Sequence, residues 1–278
     1  MYLSHFGLRE FPFGITPDTS FIYSADAHQE ALNTLLIGLE TNEGFIKITG
    51  EVGTGKTLLC RRFLATLKDN QVVAYLPNPM LEPRMLLLAI AEELGLTLLG
   101  HDYQYSLLKQ FNQHLMEMAK QGKKVIICID EAQSMPLESL EALRLLSNLE
   151  TEKRKLLQVV MFGQPELDQK LADPAVRQLR QRIVFHYTMP GLRQVEAEHY
   201  LAHRLRVAGH RDGDVFPGPC AKLLFRCSQG TPRLVNILAH KALLLAYGEG
   251  KSRISRGHVA LAARDTEGLA KLPWWRRW

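Results

Sequence analysis

Hydrophobic residues along this chain follow two spacings that take turns. Short unbroken apolar runs alternate with longer stretches in which apolar residues recur every three or four positions. From Asp26 onward, Ala31, Leu32, Leu35, Leu36 and Leu39 fall on one helical face. Residues 45–49 then read as a strand, 58–67 as a helix, and 72–76 as a buried strand that stops at Pro77-Asn78-Pro79. A helix opening near Pro83 carries Leu86, Leu87, Ile90 and Leu94 and ends at Gly95. A longer one after Asp102 aligns Leu107, Leu108, Phe111, Leu115 and Met118 and ends at Gly122. Val125-Ile126-Ile127-Cys128-Ile129 is a continuous apolar run, as a central strand covered on both faces requires. A helix at about 136–149 and strands at 156–162 and 183–187 complete the series. Strands alternating with helices specify right-handed βαβ crossovers, hence a parallel α/β sheet with helices on both faces.

The pattern changes after Pro190-Gly191. No strand is predicted there, and residues 195–207, 219–227, 232–246 and 258–264 all carry helical periodicity. At the other end, residues 6–23 are rich in aromatics, proline and turn formers, which predicts an ordered, extended arm whose aromatics need a surface to cover. The chain therefore divides into an arm (1–23), an α/β core (24–190), a small all-helical lid (191–266) and a tail rich in tryptophan and arginine (267–278).

Composition narrows the class. With 278 residues, 46% hydrophobic and 23% charged, the chain can bury a substantial core. A net charge of +5 leans mildly towards acidic partners. Cys60, Cys128, Cys220 and Cys227 lack metal-ligand spacing; Cys60 and Cys128 fall inside apolar elements and read as small buried hydrophobes in a reduced compartment. The histidines show no ligand spacing either. The first residues lack a basic stretch followed by an apolar one, and no apolar run is long enough to span a bilayer. These features predict a cytoplasmic protein.

The segment linking the first strand to its helix carries the chemistry. Gly50-Glu51-Val52-Gly53-Thr54-Gly55-Lys56-Thr57, followed by Leu58, matches the phosphate-binding pattern G-x-x-x-x-G-K-[ST] at every fixed position. Its glycines let successive N–H groups turn inward on one anion, and the positive end of the next helix faces the same point. Lys56 supplies a cation for the β- and γ-phosphates, and the Thr57 hydroxyl a ligand for Mg²⁺. The apolar strand at 125–129 ends in Asp130-Glu131. A carboxylate at that strand end can hold Mg²⁺ through its water shell, a role assigned to Asp130, while Glu131 polarises the water that attacks the γ-phosphate. ATP and Mg²⁺ are the expected substrate and metal.

Phosphate loop, acidic strand end and helical lid together resemble the AAA+ ATPases. Further stretches resemble the ExeA/GspA type of secretion ATPase: Phe11-Pro12-Phe13 with Thr16-Pro17-Asp18, Asp130-Glu131-Ala132-Gln133, Phe162-Gly163-Gln164-Pro165-Glu166-Leu167 and Leu179-Arg180-Gln181-Arg182-Ile183. Within that type the chain resembles the short MshM-like form connected with mannose-sensitive haemagglutinin (type IV pilus) biogenesis. The resemblance implies that Gln164 orients the lytic water, where Asn or Thr is commoner. It implies that Arg182, with Arg180 beside it, is an arginine finger reaching a neighbouring subunit's site, and that Arg233, opening a lid helix after Gly230-Thr231-Pro232, touches the bound phosphates. It also places the N-terminal arm with Phe11 and Phe13 over the adenine, a reading compatible with these aromatics packing the arm down.

As for partners, the same resemblance implies a homo-oligomer, as a ring or partial ring, acting on a pilus or secretion assembly protein at the inner membrane. Trp274, Trp275 and Trp278 interleaved with Arg276 and Arg277 suit peripheral contact with a membrane surface. An alternative is a nucleic-acid-associated ATPase similar to transposition regulators, although no helix-turn-helix, zinc finger or basic tail is visible.

Overall fold

The computed structural model describes residues 2–16, 18–23, 25–96, 104–149, 155–211, 213–267 and 269, with the side chains of 104–106 left aside. The cluster of Trp274, Trp275 and Trp278 lies outside the described residues. Backbone packing separates two units: Ala27–Gly50 with Leu59–Met189, and Met1–Asp26 with Glu51–Leu58 and Pro190–Trp278.

The first unit is built on five parallel strands: β1 (Phe45–Gly50), β2 (Gln71–Leu76), β3 (Lys124–Ile129), β4 (Leu157–Gly163) and β5 (Ile183–Met189), in the order β2-β3-β4-β1-β5. Side chains alternate between faces along a strand, so a sheet covered on both sides needs apolar residues at nearly every position. On one face, Ile46, Ile48, Cys128, Val160 and Phe162 pack against Leu35 and Leu39 of α1 (Asp26–Glu40) and Cys60 and Phe63 of α2 (Lys56–Ala65). On the other, Phe45, Ile127, Ile129, Val159 and Met161 meet Leu86 and Ile90 of α3 (Pro83–Glu93) and Phe111 and Leu115 of α4 (Gln104–Lys120). Leu140 and Leu143 of α5 (Leu137–Leu146) join the same layer. Each such side chain contributes about 1.5–3 kcal/mol by leaving water. The helix expected to reach residue 149 stops at Leu146, where the Ser147 hydroxyl donates to the Arg144 carbonyl. Two short helices, α6 (Glu166–Leu171) and α7 (Arg177–Arg180), fill the passage from β4 to β5.

The second unit holds α8 (Gln194–Val207), α9 (Gly218–Ser228), α10 (Pro232–Gly248) and α11 (Arg256–Arg264), close to the four predicted helices. Its core includes Leu201, Leu205, Leu224, Val235, Leu238 and Val259. The arm differs from the extended segment expected of it. It folds into two 3₁₀ turns, Ser4–Phe6 and Thr19–Phe21, and buries Tyr2, Phe6, Leu8, Phe13 and Phe21 in this helical core. Burying that many aromatics outweighs the arm's poor helical propensity. Polar bonds fix the register. The Arg204 guanidinium donates to the Pro12 carbonyl and the Tyr200 hydroxyl and lies 4.7 Å from the Phe21 ring centre. Asn236 accepts from Tyr200 and donates to the Gly14 carbonyl. Among the described residues no helix is long and apolar enough to cross a membrane.

Candidate nucleotide site

β1 delivers the chain to Gly50, and the phosphate loop carries it into α2. Gly50, Thr54 and Lys56 are buried, Gly53, Gly55, Thr57 and Leu58 half-buried, and Glu51 and Val52 exposed. The Glu51 carbonyl is the loop's internal anchor: it accepts from the Thr54 hydroxyl (2.9 Å) and from Lys56 Nζ (2.9 Å). Lys56 is thus held by a neutral oxygen that a phosphate oxygen, carrying charge, can replace. Gly53 has φ +81°, and a Cβ built on it would lie 2.4 Å from Cβ of Arg233. Only glycine satisfies both the left-handed backbone and that approach. The Arg233 N–H donates to the Gly53 carbonyl at 3.2 Å, which seats the start of α10 on the loop. Upstream, Gly230 (φ +75°) accepts from Leu192 N–H at 2.8 Å, and a Cβ there would come within 2.2 Å of the Leu192 carbonyl oxygen. The backbone therefore seats Arg233, at the start of α10, on the phosphate loop.

The acidic pair sits at the C-terminal end of β3. The Asp130 N–H donates to the Leu76 carbonyl, and the nearly buried Asp130 carboxylate accepts from the Glu131 N–H at 3.0 Å. Glu131 adopts the left-handed conformation (φ 54°, ψ 37°), uncommon for a residue with a side chain and a device that turns one side chain against its neighbour. Its Oε2 accepts from Gln164 Nε2 at 3.1 Å and from Gln133 Nε2 at 2.5 Å, while Gln133 Oε1 accepts from the Gln164 N–H at 3.0 Å. Adjacency of β3 and β4 explains the meeting, since Gln164 follows the last residue of β4. Burial pushes the Tyr75 phenol up to about 12, with the Cys60 thiol and the Asp130 carboxylate acting in the same direction.

Arg182 lies elsewhere. It precedes Ile183, which pairs with Phe45 at the start of β1, so it sits at the N-terminal edge of the sheet, opposite the strand end that carries the loop. Its Nη1 donates to the Ser147 hydroxyl at 2.8 Å, beside a cavity of about 270 Å³ that Gly44 and Lys155 also line. Arg180, at the end of α7, is exposed. A strand of six residues spans about 20 Å, which sets Arg182 a strand length from Gly50 at the other end of β1.

Comparisons with known proteins bear on the fold. Residues 39–171 match the family model described as an AAA domain. General secretion pathway protein A of Aeromonas hydrophila is 40% identical over 279 residues, covering 99% of this chain and 50% of that protein. The chain thus spans about half the length of the curated relative it matches. Among solved structures, Cdc6p of Pyrobaculum aerophilum superposes with a TM-score of 0.66 at 18% identity, over 92% of this chain and 74% of that one. The ORC2 protein of Aeropyrum pernix, solved with ADPNP and ADP, gives 0.62 at 16% identity, over 93% and 73%. The fold is that of an AAA-type P-loop NTPase.

Two features of the chain go beyond what the sequence specified. Phe13 is buried, edge-on to Phe216 at 5.7 Å, so its ring packs the arm onto the helical core. Phe11 remains half exposed, edge-on to Tyr2 and His240. The helical unit also holds a cavity of about 470 Å³ lined by Tyr23, Ala25, Asp26, Arg193, Val195 and His199. Gln133 is the residue that sequence reasoning passed over: the stretch Asp130-Glu131-Ala132-Gln133 was visible, but nothing in its spacing shows that the fourth residue returns to the second.

Proposed function

We propose that the chain binds ATP at residues 50–58 and hydrolyses it, with Glu131 as the group that polarises water. The observation that carries this reading is the Glu131 carboxylate, held by two glutamine amides at the end of the strand next to β4 while β1, on the other side of β4, leads into the phosphate loop. Lys56 exchanges the Glu51 carbonyl for phosphate oxygens, and Arg233 adds a cation at the loop from α10. Thr57 and Asp130 supply hard oxygen donors that suit Mg²⁺, which when bound keeps most of its water and neutralises charge on the transferred phosphoryl group. Gln164 holds the Glu131 carboxylate in place and, as it lets go, orients the attacking water.

The position of Arg182 favours action in trans. Turnover then requires a homo-oligomer, a ring or partial ring, in which each finger serves the next subunit. Similarity to a general secretion pathway protein A supports a role in powering assembly of a bacterial envelope secretion or type IV pilus system of the MSHA kind, on the cytoplasmic side and peripheral to the inner membrane. Calorimetry with ATP and Mg²⁺, followed by turnover assays of the wild type beside Glu131→Gln, tests the core of the reading. Binding in both with turnover only in the wild type supports it, and absence of binding by folded wild type overturns it. Mass photometry with a non-hydrolysable ATP analogue tests the oligomer.

A further inference from the structure

Gln133 stands in the 3₁₀ turn Ala132–Ser134 that follows Glu131. The turn closes on Glu131 itself: the Ser134 N–H (2.9 Å) and the Ser134 hydroxyl (2.8 Å) both donate to the Glu131 carbonyl. Lys170 Nζ of α6 donates to the Met135 carbonyl at 2.7 Å, which straps the turn to the element that follows β4. Across this junction the Gln133 side chain has both ends of its amide committed. Its Nε2 donates to Glu131 Oε2, and its Oε1 accepts from the Gln164 N–H.

The two partners make opposite demands. An ionised carboxylate only accepts and a main-chain N–H only donates, so the group between them needs a donor at one end and an acceptor at the other. A primary amide has both. Glutamate there would set oxygen against oxygen, lysine has no acceptor, and asparagine is one methylene short. Gln164 is held differently: its side chain reaches Glu131 through Nε2 and makes no other hydrogen bond to a described residue. An amide tied at one end swings away for the loss of one bond, whereas one tied at both ends loses two. Glu131 Oε1 accepts no hydrogen bond from a described residue. We infer that Gln133 is the positioning residue of the hydrolytic step. It anchors Glu131 Oε2 and leaves Oε1 to accept the hydrogen bond of the attacking water, while Gln164 is the amide that departs. The inference rests on the reading of Glu131 as the group that polarises water, and adds to it a requirement for an amide at position 133.

Steady-state and single-turnover ATPase assays on Gln133→Ala and the equally long Gln133→Glu, with ATP affinity from calorimetry, are the test. Both variants are expected to bind ATP within about twofold of wild type and to lose about 10–10²-fold in kcat, as displacement of a reacting group does. Combined with Glu131→Gln, either substitution should cost nothing further, because its effect runs through that carboxylate. A residue that only held the fold together would lower the residual rate again. Turnover by both variants within about twofold of wild type, a loss carried by ATP affinity instead of kcat, or a second loss in the Glu131→Gln background overturns the role of Gln133. Each of these outcomes leaves the ATPase reading in place. Absence of turnover by wild type that binds ATP removes the hydrolytic reading and this inference with it.

Discussion

Gln164 donates its amide N–H to the Glu131 carboxylate across 3.1 Å, joining the ends of two neighbouring strands. A carboxylate so held is oriented but partly occupied, because two amide protons already take up lone pairs of its Oε2. Glu131→Gln should bind ATP normally and lose about 10²–10⁴-fold in kcat, the range for a positioned acid or base. Gln164→Ala leaves Glu131 oriented by Gln133 alone and should lower kcat by up to about 10²-fold with KM little changed, as misplacement of a reacting group does. Steady-state ATPase assays on both variants check this.

Lys56→Ala should abolish nucleotide binding, seen as loss of heat when ATP and Mg²⁺ are titrated into folded protein. Gly53→Ala tests the backbone instead. Its methyl would collide with Cβ of Arg233 in a left-handed conformation, so the variant should lose more than about 1 kcal/mol of stability by denaturant unfolding as well as its affinity for ATP.

Because Arg182 sits a strand length from the edge that carries its own phosphate loop, Arg182→Ala should leave ATP affinity and the rate at high dilution intact. The acceleration on raising protein concentration should disappear, a loss of up to about 10³–10⁵-fold where such fingers act. Turnover plotted against enzyme concentration for the two proteins decides it.

Histidines tether the arm. His240 Nδ1 meets the Tyr2 hydroxyl at 2.8 Å and His210 Nδ1 the Phe6 carbonyl at 2.6 Å. Burial holds His240 below its ordinary 6.5 and pushes the Tyr2 phenol up to about 12, so Tyr2 stays a donor and neutral His240 the acceptor. Burial lowers His203 as well. A histidine with a depressed folded pKa takes up its proton more readily when unfolded. Its stabilising contribution is complete above 6.5 and is lost as pH falls below that towards the folded value. The melting temperature should therefore drop between pH 7.5 and pH 5.5, and His240→Gln, which keeps an acceptor but cannot titrate, should flatten part of that drop.

All four cysteines are buried, and burial raises the Cys220 and Cys227 thiols. Cys128 is raised by its hydrogen bond with Cys60 as well as by burial, the two sulfurs lying 3.5 Å apart. A thiol-specific chromogenic reagent should therefore react with almost none of them in the native protein and with four after unfolding.

Elements whose spacing is dictated locally were legible in the sequence. A covered strand must be apolar at most positions, so β1, β3 and β4 were visible, and the phosphate loop could be found because its backbone curl demands glycines at fixed intervals. The order β2-β3-β4-β1-β5 was not legible, since periodicity records which faces are buried and not which strands are neighbours. Helices α6 and α7 are too short for a 3.6-residue period to register. The aromatics of the arm announced a covering role, but whether they would cover a base or a helical bundle depends on residues such as Phe216, two hundred positions away. Gln133 belongs to the same class: its partner is set by a left-handed turn at Glu131, for which glutamic acid gives no signal.

The arm and the helices that enclose it are separated in the chain by the whole sheet. During synthesis, Tyr2, Phe6, Phe13 and Phe21 leave the ribosome well before α8 to α11 exist. At about 5–20 residues per second that interval lasts on the order of 10–30 s. For that time a string of naked aromatic rings has nowhere native to go, and a holdase that recognises such segments would find its best opportunity there.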